Sequence, residues 1–230
     1  MNIVKFTICS FSLIYANTLY AAAIGGVSLG STRVIYPANS KQVSLPLLNH
    51  SKKDRYLVNA WVDDINEEKT KDFLITPPIF VSEPDTENTF RIIRVTSDFP
   101  KNKESVYYIN VKTIPSVSRE VLEGSNVLQL AVLSRIKLFV RPPNLPYASE
   151  EAFNHIKFYK TVNGVEVDNK SPYFISFVNL KLDNNSIPSK MVAPLERTQL
   201  TEKTGTTFSY QAVNDYGGLT EIKEMTISNE

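Results

Sequence analysis

The sequence predicts an all-β protein made of two β-sandwich domains. Three observations carry this expectation. Apolar residues alternate with period two along most of the chain, turn-forming clusters interrupt them at the spacing of an antiparallel sandwich, and three prolines in the segment Arg141-Pro142-Pro143-Asn144-Leu145-Pro146 divide the chain near its middle.

In chain order, Lys5 precedes an apolar stretch, residues 6–16, of the length of a signal-peptide core. Ala21, Ala22 and Ala23 then supply the small residues of a cleavage site. Residues 1–23 are therefore expected to be a secretory signal, cut between positions 21 and 25. The stretch is shorter than the ~20 apolar residues of a membrane span, and Thr7, Ser10 and Ser12 interrupt it. Its removal takes away Lys5 and the one cysteine, Cys9, leaving 24 basic against 24 acidic residues. A chain without thiols suits an oxidising periplasm, where free cysteines risk wrong disulfides. No later stretch is apolar enough to span a bilayer.

The strands follow. Val43, Leu45 and Leu47 alternate with Ser44 and Pro46; Tyr56, Val58, Ala60 and Val62 alternate with Leu57, Asn59 and Trp61; Val106, Tyr108 and Asn110 alternate with Tyr107, Ile109 and Val111. Turns are expected at Tyr36-Pro37-Ala38-Asn39-Ser40, Asn49-His50-Ser51-Lys52 and Asp98-Phe99-Pro100-Lys101-Asn102. Proline fixes φ and lacks an amide donor, so residues 141–146 cannot lie inside a central strand; they end one sandwich and stiffen the approach to the next. Domains are expected at 24–143 and 147–230, each near the ~100 residues of an immunoglobulin-like sandwich, with the smaller second domain leaning on the first through a buried contact. One helical turn at residues 149–153 is all the helix the pattern supports.

Composition excludes several functions. Among 230 residues, 25 Lys+Arg balance 24 Asp+Glu, so there is no basic surplus to hold nucleic acid. His50 and His155 have no cysteine or carboxylate at ligand spacing and read as surface histidines, leaving no metal centre. The nucleophile elbow, the phosphate-cradling loop and the dinucleotide fingerprint are absent, and 8 glycines offer little material for a backbone-lined anion site. No catalytic residue and no cofactor are expected. The acidic run Asp63-Asp64 with Glu67-Glu68 lacks calcium-loop spacing and reads as a solvated loop, and Trp61 reads as a buried strand residue.

Residues 127–141 carry the most information. Leu128, Leu130, Val132, Ser134 and Ile136 share one face of an extended strand, while Gln129, Ala131, Leu133, Arg135 and Lys137 share the other. Pattern alone favours a central strand covered on both sides. The alternative is an edge strand offered to a partner, since an apolar edge is an aggregation hazard unless something caps it.

Six ordered blocks now point to a family. They are Val27-Ser28-Leu29 before Thr32-Arg33-Val34-Ile35-Tyr36, then Tyr56-Leu57-Val58-Asn59-Ala60-Trp61, Ile75-Thr76-Pro77-Pro78-Ile79-Phe80, Glu104-Ser105-Val106-Tyr107-Tyr108-Ile109-Asn110-Val111, Ile136-Lys137-Leu138-Phe139-Val140-Arg141-Pro142, and Asn214-Asp215-Tyr216-Gly217-Gly218. In order and spacing the chain resembles the periplasmic chaperones of the chaperone–usher pathway, which assemble pili on Gram-negative bacteria. The resemblance covers nearly the whole mature chain.

That resemblance implies two immunoglobulin-like domains in a boomerang arrangement. It implies that Arg33 and Lys137 anchor the C-terminal carboxylate of a pilus subunit, as two fixed cations can through charge-assisted hydrogen bonds. Leu128, Leu130 and Val132 would be lent to the open groove of a subunit that lacks its final strand. Glu104, Arg141 and Asp215 would form an interdomain ion network. The partners implied are pilus subunits and an outer-membrane usher, in the periplasm, with no nucleotide. A short loop over residues 116–126 resembles the branch serving rod-like, adhesin-tipped pili. A self-capping homodimer would hide the apolar strand. Arg94 and Arg135 receive no role and read as solvated cations. A second reading, from another class, is a secreted two-domain carbohydrate-binding protein of adhesin type that uses tyrosine and tryptophan platforms.

Overall fold

The computed structural model describes residues 26–96, 98–117 and 128–227. The expected signal segment with its cleavage window, and the 116–126 loop beyond Val117, lie outside the described residues.

The first half is a two-sheet sandwich. Strands β1 (Val27–Leu29), β3 (Gln42–Asn49), β7 (Thr86–Arg94) and β5 (Phe73–Thr76) form one sheet in the order β1-β3-β7-β5. Strands β2 (Arg33–Pro37), β9 (Val132–Arg141), β8 (Ser105–Pro115), β4 (Tyr56–Asp63) and β6 (Ile79–Ser82) form the other, in the order β2-β9-β8-β4-β6. The first segment therefore changes sheets: β1 pairs with β3, and after Gly30 the chain crosses so that β2 runs parallel to β9. Period-two alternation is realised in β4, where Val58, Ala60 and Val62 are buried and Leu57 and Asn59 face outward. They meet Leu45, Leu47, Ile75, Phe90, Ile92, Ile109, Val111 and Leu138 in one core. Trp61 is only half-buried, because it stands on the outward face of β4 opposite Asn110.

The second half has its own core around Phe158, Val167, Phe177, Phe208 and Tyr210. It opens with a short 3-10 helix, Ser149–His155, where a single helical turn was expected. Strands β10 (Ile156–Thr161), β11 (Gly164–Asn169) and β15 (Glu196–Thr201) form a three-stranded sheet. Strands β12 (Ile175–Leu182), β13 (Asn185–Ser186), β14 (Lys190–Val192), β16 (Thr207–Ala212) and β17 (Lys223–Thr226) form the facing one. The buried Tyr210 phenol is pushed up to about 12 by desolvation. The chain is thus two immunoglobulin-like sandwiches.

No internal repeat is legible in the sequence, yet the two domains share a corner. At the end of β3 the buried Asn49 amide donates to the carbonyls of Asp54 and Glu83, and its oxygen accepts from Ser51 N. At the end of β11 the buried Asn169 amide donates to the carbonyls of Tyr173 and Ala193, and its oxygen accepts from Ser171 N. One buried amide in each domain satisfies several loop backbone groups that water cannot reach.

Candidate functional site

The parallel register of β2 and β9 sets Arg33 directly opposite Lys137. Both side chains reach toward the second domain: Arg33 Nη1 donates to the Val213 carbonyl at 3.1 Å, and Lys137 Nζ donates to Ser176 Oγ at 3.3 Å. The Arg33 guanidinium also lies 5.6 Å from the Phe139 ring centre. Desolvation by burial pulls the Lys137 ammonium below its ordinary pKa, and the neighbouring Arg33 charge adds to the pull. Burial lowers Arg33 as well, against the attraction of Asp215 and Glu104. Two cations are thus held side by side in a partly dehydrated cleft, an arrangement suited to an incoming anion.

Behind them stands the hinge. Arg141 Nε donates to Glu104 Oε1 at 2.7 Å, while Nη1 and Nη2 donate to the two oxygens of Asp215 at 2.5 and 2.8 Å. Ser149 Oγ donates to Asp215 at 2.7 Å, and Glu104 Oε2 accepts from Phe174 N at 2.9 Å. The structure therefore brings together Glu104, Arg141 and Asp215, which are far apart in sequence. Burial works to raise the Asp215 pKa, but the hydrogen bonds from Arg141 and Ser149 hold it below the ordinary carboxylate value. Glu104 is only 3% exposed, and there desolvation wins: its carboxyl titrates above its usual range despite Arg141. Arg141 lies above its ordinary value because the two carboxylates outweigh its burial.

The third component is an open strand edge. β9 pairs with β8 from Val132 to Val140, but β2 covers its other edge only from Lys137 onward. Between Val132 and Ile136 that edge meets no other strand among the described residues. The apolar side chains follow the same division. Leu138 is in the core and Ile136 packs against it, whereas Val132, Leu130 and Leu128 are 58%, 65% and 81% exposed. The fully covered central strand that pattern alone favours is thereby corrected: the apolar face continues past the end of the core. Gln129 Nε2 donates to the Pro115 carbonyl at 2.6 Å and tethers the segment to the end of β8.

Several contacts escape a reading of the sequence. Arg135 is not a free solvated cation: it pairs with Glu67 at 3.0 Å and stacks 4.3 Å from the Tyr108 ring centre. Asp63 is buried rather than solvated, accepting from Asn110 Nδ2 at 2.7 Å. Arg94 donates to the Ala38 carbonyl. His50 meets Ser28 Oγ at 2.8 Å, and His155 stacks on Tyr147 with ring centres 4.2 Å apart. Gly217, at φ +82°, lies so close to Thr32 that a Cβ there would stand 2.2 Å from Thr32 Oγ1. Apart from the Tyr147–His155 stack, these contacts join residues distant in sequence, so spacing could not reveal them. Among the described residues no group of three or more His, Cys, Asp and Glu is placed to hold a metal, and no helix is long and apolar enough to cross a membrane.

Comparison with known proteins adds an independent line. Residues 26–146 match the family described as pili and flagellar-assembly chaperone, PapD N-terminal domain, and residues 151–224 match the pili assembly chaperone PapD, C-terminal domain. The chain is 42% identical over 220 residues to the probable fimbrial chaperone SfmC of Escherichia coli (strain K12), covering 95% of each. It is 39% identical over 200 residues to the chaperone protein FocC of Escherichia coli, covering 85% of this chain and 88% of that one. The crystal structure of the periplasmic chaperone SfaE superposes with a TM-score of 0.78 at 37% identity, over 88% of this chain and all of the other.

Proposed function

Because the chain belongs to the PapD family of pilus-assembly chaperones, we propose that it binds pilus subunits in the periplasm by lending them a strand, and releases them to an outer-membrane usher. The observation that carries this reading is the unpaired edge of β9 beside the paired cations Arg33 and Lys137. Leu128, Leu130 and Val132 enter the groove of a subunit that lacks its last strand. Pairing along the open edge satisfies backbone groups, and each apolar side chain fully buried contributes ~1.5–3 kcal/mol. Arg33 and Lys137 hold the subunit's C-terminal carboxylate, which fixes the register of the added strand. Glu104, Arg141 and Asp215 fix the angle between the domains, so that the two cations and the strand edge are presented together.

Strand exchange needs no covalent chemistry and no cofactor; the family is one of chaperones, not enzymes. The carbohydrate-binding reading is set aside, since both domains match the chaperone family. We assign the chain to the short-loop branch serving rod-like pilus subunits. Without a client, an exposed apolar edge favours a capped homodimer. We take the domains as 24–143 and 147–230, after a signal segment of residues 1–23.

Coexpression of the Leu130→Glu variant with a pilus subunit tests the reading. Leu130 is exposed, so the variant is expected to melt as the parent does and to recover no subunit on purification. Recovery at the parental level, or collapse of the fold, would overturn strand donation.

A further inference from the structure

The turn that follows β16 is held by several contacts, and it carries two large side chains that the domain leaves exposed, Tyr216 and Leu219. Val213 offers its carbonyl to Arg33 at 3.1 Å, Asp215 is clasped by Arg141, and Gly217 packs against Thr32. Within the turn, Asn214 Oδ1 accepts from the amides of Tyr216 and Gly218 at 3.1 and 2.8 Å. Between these restraints stands Tyr216, 91% exposed. Leu219, 53% exposed, pairs with Val213 in a β-bridge, and paired residues of an antiparallel bridge share a face. Leu219 therefore shares a face with the Val213 side chain, one bridge pair away from the carbonyl that Arg33 holds.

We propose that Tyr216 and Leu219 form an apolar rim of the subunit-binding cleft on the second domain, and that they contact apolar side chains of the subunit next to its anchored carboxylate. The proposal rests on the chaperone reading above and names a specificity surface for it. The turn is continuous with the two cations, so a carboxylate held by Arg33 and Lys137 brings the residues beside it against Tyr216. A tyrosine on an immobilised turn loses little conformational freedom when covered and offers a large contact area with a polar tip, the character of residues that dominate interfaces. The fold itself does not need these side chains, because their truncation leaves every restraint on the turn in place.

The test uses the chaperone–subunit complex formed by coexpression, with subunit release followed after adding an excess of a peptide that mimics a neighbouring subunit's extension. Tyr216→Ser/Leu219→Ser is expected to melt as the parent does and to release subunit about tenfold faster. Tyr216→Phe, which keeps the ring, is expected to release near the parental rate. Parental release by the double variant, while Leu130→Glu and Lys137→Ala bind no subunit, would overturn the rim and leave the chaperone reading standing. Should Leu130→Glu and Lys137→Ala also hold subunit, the chaperone reading itself is the failure. Should the double variant hold subunit normally but lose self-association of the free chaperone by light scattering, the rim belongs to a second copy of this chain and the proposal falls.

Discussion

Arg33 and Lys137 are direct partners in the parallel pairing of β2 with β9, like charges set opposite each other in a partly buried cleft. Such a pair works against the fold, since opposed like charges destabilise a sheet and dehydration disfavours both. It persists beside Asp215 and Glu104, whose charges draw on Arg33 and are themselves engaged by Arg141.

Replacing one cation should therefore separate function from stability. Lys137→Met is expected to melt no lower than the parent while retaining no subunit. The pH dependence carries the same sign. The folded pKa of Lys137 lies below its unfolded value, so the penalty of its charge is present at neutral pH and is relieved as pH rises from the folded value toward the ordinary lysine range. Denaturation midpoints of the parent should rise across that alkaline window relative to those of Lys137→Met; parallel curves would refute the account.

The hinge network should be costly to break. Glu104→Ala leaves Phe174 N and part of Arg141 without a partner in a buried site, and is expected to cost about 3 kcal/mol in chemical denaturation, at the low end for a broken buried pair because Asp215 remains. Arg141→Lys, with Glu104 in place, should also break the network, because one ammonium cannot make the forked contact with Asp215 while bonding Glu104.

Acid should act on Asp215. Its folded pKa lies below the unfolded one, so the stability it contributes is complete above the unfolded value and is lost as pH falls through the folded value. Glu104, raised by burial, has the opposite sign and cannot account for that loss. Asp215→Asn should flatten the acid limb of the stability profile below pH of about 4; an unchanged limb would place the titration elsewhere.

The apolar face that runs from Leu128 into β9 should divide in its response to truncation. Ile136→Ala removes a side chain packed on the core and is expected to cost about 2 kcal/mol, whereas Leu128→Ser, eight residues earlier on the same face, should leave the melting temperature unchanged and lower only subunit recovery. Equal losses of stability at the two positions would mean that the core extends to Leu128.

Gly217 should tolerate nothing larger. Alanine there must adopt φ +82° and push against Thr32, so Gly217→Ala is expected to destabilise by about 1–2 kcal/mol and to weaken subunit retention. Adding Thr32→Ala should recover only part of the loss, because it removes the clash and leaves the backbone strain.

Alternation made the strands legible, and β4 buries the residues that its period assigns. It could not decide whether β9 was central or open. Period two says which side chains share a face, while the cover over that face comes from where β2 begins, a matter of tertiary pairing. The roles expected of Arg33, Lys137, Glu104, Arg141 and Asp215 rest on resemblance rather than spacing, since the bonds of the network join residues 37 and 74 positions apart. Arg135 went unread because its partners Glu67 and Tyr108 lie on other elements, and Asp63 because burial of one acid within an acidic run leaves no mark in composition.

The crossing of the first segment from β1 to β2 also acts as a ruler. Where β2 starts, sharing of the β9 edge ends, and from Ile136 back to Val132 the strand offers about 17 Å of unclaimed edge. The reach of a guest is thus set by where a neighbouring strand enters the sheet, so lengthening or shortening the passage around Gly30 would change how long a guest strand the molecule measures out, without altering a single side chain that touches it.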